Sequence, residues 1–231
     1  MTPDPAAAAV RTTTVRHGKA HLLVHHLREA SPDGTDRRPL LHLHGLGERS
    51  PVALPPHLAA WPGPVVALDF TGHGGSTVPL GGGYTAEILL GDVDAAVCEI
   101  GPVTLFGRGL GAYVALLASG ALAEQIRGAI LFDGPGLVGG GIRPSSPSIP
   151  TVPAAHIGTV PDPLALAELS RDVRPPDYTS EFARQAVQWS GLDHPIAVVA
   201  VSRPEWLAAV ADEPGVLTLP LEKALALYAE V

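Results

Sequence analysis

Residues 102–122 read PVTLFGRGLGAYVALLASGAL, and the rest of the chain is best interpreted outward from them. The first part, 102–106, is apolar and predicts a buried strand. Residues 107–111, GRGLG, interrupt the apolar pattern with glycine and predict a tight turn. Residues 112–122 are apolar nearly all round a helix, which is typical of a buried helix. A buried strand, a glycine turn and a buried helix in succession indicate an α/β protein.

The same alternation continues on both sides of this stretch. Apolar runs predict strands at 20–28, 39–44, 64–70, 127–132, 195–201 and 215–219. Helical patterns follow at 85–100, 179–189, 206–211 and 221–231, and Thr85 suits the N-cap of the first. We therefore predict a mainly parallel sheet with helices on both faces.

Glycine and proline mark one long interruption of this pattern. Residues 134–164 contain a run of three glycines and repeated prolines, so a regular element is not expected there. We divide the chain into an N-terminal part of the core at 1–133, a short cap or linker at 134–194 and a C-terminal part of the core at 195–231.

Composition limits the classes of function. The 231 residues are 46% hydrophobic, enough for one domain with a real core and too apolar for a disordered chain. With 15 basic and 23 acidic residues the net charge is -8, and without a basic stripe we expect no nucleic-acid partner. The glycine and proline content with only two lysines suggests a GC-rich, bacterial source.

The apolar runs and the single cysteine bear on location. No run approaches the roughly 18 apolar residues of a membrane span, and the first residues lack the pattern of a signal peptide. One cysteine excludes a disulfide framework, and we expect Cys98 to be a buried thiol in a helix. We expect a cytoplasmic protein without contact to a membrane.

Three motifs at predicted strand ends resemble those of the α/β-hydrolase family. Residues 44–47, HGLG, look like its oxyanion loop, and residues 69–76, DFTGHGGS, are similar to its D-x-x-G-H-G-x-S loop. Residues 107–111 stand where its nucleophile elbow, G-x-S-x-G, belongs. The resemblance covers about 20–133 well and the rest in outline. It implies an α/β-hydrolase-like fold with a small Pro/Gly-rich cap, acting on an ester or another acyl or carbonyl compound.

The chain departs from the family at the nucleophile. The resemblance assigns the central elbow position to Gly109, and glycine has no side chain with which to form an acyl-enzyme. Glycine does tolerate the strained backbone of such a turn. The family histidine follows the last strand, but residues 215–231 contain no histidine, so the base is unknown.

The resemblance still implies an acid and an anion-binding loop. Glu205 follows the penultimate strand and Asp133 an earlier one, so both are candidate acids; alternatively, Asp133 is a turn residue bonded to the backbone of 134–135. The backbone N–H groups of Leu46 and Leu110 carry over as oxyanion donors, which need no particular side chain. Further binding candidates beside these donors are His44, Gly45 and Arg108.

Other histidines and serines offer weaker alternatives. We expect structural roles for His44 and His73. His42 and His44 alternate along a strand as a metal pair would, but no third ligand is visible, so we predict no metal. Displaced nucleophiles or bases could come from Ser50, Ser76, His156 or His194.

Three functional hypotheses remain open. The first is a member without an intact triad that binds a small acyl or carbonyl compound, or a protein partner, without hydrolysis and without a cofactor. The second is an atypical hydrolase or lyase with displaced catalytic groups. The third is a dinucleotide binder, because Gly107, Gly109 and Ala112 also fit G-x-G-x-x-G/A, and Asp133 lies 22 residues past Gly111.

Overall fold

A computed structural model of the chain describes residues 10–31, 37–143 and 158–231. Within these ranges eight strands form one sheet in the spatial order β1-β2-β4-β3-β5-β6-β7-β8. Strand β2 is antiparallel to β1 and β4, and all other neighbours are parallel. The strands are β1 Arg11–His17, β2 Ala20–Arg28, β3 Leu40–Leu43, β4 Val65–Leu68, β5 Val103–Arg108, β6 Ile126–Phe132, β7 Ile196–Val198 and β8 Val216–Thr218.

Helices cover both faces of this sheet. One face packs against α1, α2, α4 and α5 and holds the larger core, whereas the other packs against α6. The fold class predicted from the alternating pattern is therefore confirmed. None of the described helices is long and apolar enough to cross a bilayer. The helices are α1 Ala86–Ile100, α2 Leu110–Ala121, α3 Pro163–Leu169, α4 Pro176–Trp189, α5 Glu205–Ala211 and α6 Leu221–Glu230.

The edge strand β1 was not predicted. Its sequence, RTTTVRH, is largely polar and lacks the apolar run of a buried strand. This suits a strand that pairs only with β2 and mostly faces solvent. Threonine and valine nonetheless suit an extended strand. Gly18, at φ 57°, supplies the left-handed backbone of the two-residue turn that joins β1 to β2.

The segment predicted as irregular contains α3. Pro163 opens this helix, and the side chain of Asp162 caps it by accepting the N–H of Leu164. Proline is favoured in the first turn, where its missing N–H has no partner to lose. The proline density therefore hid a helix start, and the expectation of irregular structure up to residue 164 was wrong at its end.

Two further expectations need correction on the helical face. Cys98 is exposed near the end of α1, so the expected buried thiol was wrong. Helix α4 begins at Pro176, three residues earlier than predicted, and contributes Ala183 and Ala186 to the main core. The N-cap of α1 is confirmed, because Thr85 accepts the N–H of Ile88.

A buried carboxylate organises the loop after β4. Asp69 is 1% exposed and accepts N–H groups from Ser50 (2.7 Å), Gly75 (2.8 Å) and the ring of His25 (2.9 Å). Burial alone would raise the pKa of Asp69, but these donors hold it below its ordinary value. A Cβ on Gly74 would meet this carboxylate at 2.1 Å, so the turn requires glycine there.

Asp69→Asn is expected to lower the free energy of unfolding by about 3 kcal/mol near neutral pH, because one buried N–H loses its acceptor. The folded pKa of Asp69 lies below 3.8, so the contribution of the carboxylate is present above about pH 4 and lost as the pH falls through the folded pKa. Urea unfolding at pH 7 and below pH 4 measures both effects. The exposed control Asp193→Asn should change stability by less than about 0.5 kcal/mol. Equal effects of the two substitutions at pH 7 would contradict this reading.

Candidate functional site

The turn between β5 and α2 consists of Gly109 alone. β5 ends at Arg108 and α2 begins at Leu110, two residues earlier than predicted. Gly109 has φ 59° and ψ -116°, a backbone conformation that residues with a side chain rarely adopt. A Cβ at this position would lie 2.1 Å from the carbonyl oxygen of Pro135 and 2.5 Å from the carbonyl carbon of Gly134. The space in front of Gly109 is therefore filled by the backbone of the loop after β6.

The two predicted oxyanion donors share one acceptor. The N–H groups of Leu46 and Leu110 both donate to the carbonyl oxygen of Pro135, each at 2.9 Å. Pro135 is an exposed residue, but its carbonyl oxygen points inward to these two donors. An acceptor held by two converging N–H groups is the arrangement that an oxyanion site offers to a ligand. Here the chain itself provides the acceptor.

Glycines on both sides permit this close approach. A Cβ on Gly45 would lie 2.9 Å from the Pro135 ring, and one on Gly136 would lie 2.6 Å from the Cβ of Leu46. A Cβ on Gly134 would meet Arg108 Cγ at 2.5 Å. Because contacts this short exclude any side chain, the two backbones meet only where both carry glycine.

The side chain of Arg174 holds the loop that carries Pro135 by hydrogen bonds on its inner side. Nη1 of this side chain donates to the carbonyls of Gly136 and Leu137, both at 2.6 Å. The guanidinium carbon lies 4.2 Å from the ring centre of Tyr113, a cation–π contact. Arg174 is 1% exposed, and burial lowers its pKa to about 10. Its Nε and Nη2 have no hydrogen-bond partner among the described residues.

Both ring nitrogens of His44, and both of His73, form hydrogen bonds with backbone groups. In His44, Nε2 accepts the N–H of Phe70 (3.1 Å), so Nδ1 carries the proton and donates to Gly45 (2.8 Å). In His73, Nε2 accepts the N–H of Gly47 (3.3 Å), and Nδ1 donates to Thr71 (3.2 Å). Burial lowers both pKa values, that of His44 to about 4, so both rings are neutral near pH 7. Neither ring has a free nitrogen for catalysis.

Arg108 and the two candidate acids have other partners or positions. Arg108 forms an ion pair with Glu48 at 3.0 Å, and Glu48 also accepts the N–H of Gly45. Asp133 accepts the N–H groups of Val201 (2.6 Å) and Ser202 (3.0 Å), so it joins the loops after β6 and β7. The expected bond to the backbone of 134–135 was wrong, because the carboxylate turns toward the neighbouring loop. Glu205 is exposed at the start of α5.

The connection after β8, where the resemblance places the family histidine, contains no histidine. Only Leu219 and Pro220 lie between β8 and α6, and neither is titratable. His194 precedes β7 and bonds Gly215, which places it at the amino edge of the sheet. Gly109 follows β5 at the carboxyl edge, since β5, β6 and β7 are parallel. His156 lies outside the described residues.

The displaced serines and the third hypothesis find little support. Ser50 and Ser76 are 3% and 5% exposed, and the hydroxyl of Ser76 donates to the carbonyl of Asp69 at 2.6 Å. At the start of α2, Leu110 donates to Pro135 and Gly111 donates to the carbonyl of His44. A pyrophosphate needs free N–H groups at this helix terminus, and these two are taken.

His42 has a buried ring with one unpartnered nitrogen among the described residues. It is 4% exposed and stacks on Phe106 at 5.5 Å, and its Nδ1 has no partner among the described residues. Burial lowers its pKa to about 3. No group of three metal-ligating side chains exists within the described ranges. The metal pair considered for His42 and His44 therefore stays without a third ligand.

Sequence reasoning missed Pro135 and Arg174. The acting group of Pro135 is a backbone carbonyl, which leaves no trace in the residue type. A partial signal was present in the glycines at 45, 109, 134 and 136, which together indicate close backbone approaches. Nothing in the sequence indicated that Arg174 would be buried.

An open pocket of about 310 Å³ lies over this loop. It is lined by Leu46, by residues of the loop such as Gly136 and Leu137, and by Ser170 and Ser202. The pocket has both apolar and hydroxyl groups at its surface. A small molecule bound there would contact the loop directly.

Comparison with known proteins supports the fold. Residues 40–231 match the sequence profile of the alpha/beta hydrolase family. No curated protein sequence matches the chain significantly. Many solved structures resemble it, among them three at 15–19% identity, a likeness that bears on the fold alone.

The three structures come from different proteins. The thioesterase domain from the curacin biosynthetic pathway is 19% identical and has a TM-score of 0.59, covering 96% of this chain and 98% of that one. An N-formylmaleamic acid deformylase from Pseudomonas putida S16 is 17% identical with a TM-score of 0.61, covering 92% of each chain. A protein from Butyrivibrio proteoclasticus, solved with ferulic acid, is 15% identical with a TM-score of 0.60, covering 94% and 96%.

His42→Leu is expected to stabilise the protein, since an unpaired buried polar atom costs about 1–3 kcal/mol. The folded pKa of His42 is about 3 against an ordinary 6.5, so the unfolded chain binds a proton first as the pH falls. The gain over wild type should therefore grow by roughly 2 kcal/mol between pH 7.5 and 5. Chemical unfolding at both pH values measures it. A gain that does not depend on pH would contradict the assignment.

Proposed function

This chain is a member of the alpha/beta hydrolase family, and we propose that it is a member without a working serine triad, one that binds a small carbonyl or carboxylate compound without hydrolysing it. The carrying observation is the position of the loop after β6. The Pro135 carbonyl lies where a side chain at 109 would project, and it accepts both predicted oxyanion donors.

The surroundings of Gly109 support the absence of acyl transfer. A nucleophile needs a side chain and an adjacent base. Gly109 has no side chain, and the rings of His44 and His73 are engaged by backbone groups. The connection between β8 and α6 carries no histidine. Gly109 thus corresponds to a degenerate nucleophile elbow that keeps the turn and has lost the chemistry.

Two features favour binding over a purely structural domain. The N–H groups of Leu46 and Leu110 converge on one point, which the Pro135 oxygen occupies and where a carbonyl or carboxylate oxygen of a ligand would replace it. The pocket beside them is open and lined by Leu46 and two serines. A small ligand is therefore favoured over a protein partner.

The wild-type protein is expected to hydrolyse p-nitrophenyl acetate no faster than the heat-denatured protein, and a serine-directed fluorophosphonate should not label it. Gly109→Ser should not create activity, because its Cβ meets the Pro135 oxygen at 2.1 Å. Strain and overpacking of about 3 kcal/mol should lower its Tm by roughly 6–12 °C.

Gly141→Ser is the matched control. Gly141 also has a positive φ, of 90°, but a Cβ there meets nothing within 4 Å, so the Tm of this variant should fall much less.

Ligand-detected NMR with butyrate and ethyl butyrate tests binding, and the ester should be recovered intact. Turnover by the native wild type that heating abolishes would contradict the proposal and favour the atypical hydrolase.

A further inference from the structure

The glycine-rich loop at 134–141 has the features of a segment with two positions. Five of its eight residues are glycine, at 134, 136, 139, 140 and 141. Its outer side faces solvent, since Pro135 is exposed and Val138 is 60% exposed. Glycine-rich backbone can change its dihedral angles at little steric cost, which suits hinges at the ends of a moving segment.

A set of hydrogen bonds holds the loop on its inner side. Besides the two bonds to Pro135, Trp206 Nε1 donates to Leu137 at 2.8 Å, and the Gly140 N–H donates to Asp172 at 2.8 Å. Arg174 makes the largest contribution, through Nη1 to two carbonyls and its own N–H to Gly141. These polar contacts act together with the side chain of Leu137, which is 3% exposed and belongs to the main core.

Burying the Arg174 guanidinium under the loop costs free energy. A buried guanidinium with Nε and Nη2 unpartnered among the described residues loses hydration that the contacts to Gly136, Leu137 and Tyr113 only partly replace. If the loop moves outward, water reaches the guanidinium and this cost falls. The burial of the Arg174 guanidinium therefore favours the outward position of the loop, whereas its hydrogen bonds favour the closed one.

We infer that the 134–141 loop is an internal plug, in which Pro135 competes with a carbonyl or carboxylate ligand for the N–H groups of Leu46 and Leu110, and that Arg174 holds the plug closed. This inference rests on the proposed function for the nature of the ligand. The competition makes binding weaker than the two donors alone would allow, by the fraction of molecules with the plug open.

Amide hydrogen exchange at Leu46 and Leu110, measured by NMR without ligand, tests the plug directly. Gly136→Ala should speed exchange of both amides at least tenfold, because its Cβ would lie 2.6 Å from the Leu46 Cβ and 3.1 Å from the Leu110 Cβ. Gly191→Ala, outside the loop, is the matched control, with a similar positive φ of 69° and open space, and should leave both rates unchanged. The amide of Leu40, bonded to Pro64 within the sheet, should stay slow in every variant.

A second pair of variants tests Arg174. Arg174→Met removes the two bonds to the loop and should speed the same two amides at least tenfold, while Arg184→Met, on the exposed face of α4, should not. If exchange at Leu46 and Leu110 is unchanged in folded Gly136→Ala and Arg174→Met, the plug is refuted. Exchange of all amides at the same increased rate would refute it as well, since that is global unfolding.

Butyrate titration of the same variants links the plug to binding. Weakening the competitor in Gly136→Ala should tighten butyrate binding at least tenfold relative to wild type and to Gly191→Ala. Faster exchange together with no butyrate binding by any variant would support the plug and contradict the proposed binding function. The two ideas therefore fail separately.

Discussion

One carbonyl oxygen, that of Pro135, accepts the N–H groups of both Leu46 and Leu110 and thereby joins the loops after β3, β5 and β6. The approach is so close that glycine is required at 45, 109 and 136. Backbone groups buried this way need partners. The contact satisfies two donors at the carboxyl edge of the sheet and at the same time occupies the space in which a catalytic side chain would work.

The chemistry of the site follows from that contact. A family member that hydrolyses its substrate needs a side chain on the turn after β5, a base behind it and an empty anion site. In this chain the turn residue is Gly109, the connection after β8 is two residues long, and the N–H groups of Leu46 and Leu110 bond the chain's own Pro135 carbonyl. All three features agree with the proposed absence of acyl transfer.

The sequence predicted the frame of the molecule better than its site. Continuous apolar runs identified β3, β4 and β5 because strands covered on both faces bury nearly every residue. The strand β1 was missed because an edge strand is polar, and α3 was missed because its first residue is the proline that usually ends helices. The motif at 107–111 located the turn and its donors. The acceptor could not be found, because a carbonyl on Pro135 is indistinguishable from any other until the loops are placed in space.

The most direct test is the detection of hydrogen bonds by NMR, through the scalar coupling that passes from an amide nitrogen across the bond to the carbonyl carbon. We expect the amides of Leu46 and Leu110 both to show such a correlation to the carbonyl carbon of Pro135. The bond from Leu40 to the carbonyl of Pro64, of equal length at 2.9 Å, is the internal standard. Detection of the standard without either correlation to Pro135 would show that the Pro135 carbonyl does not occupy these two donors.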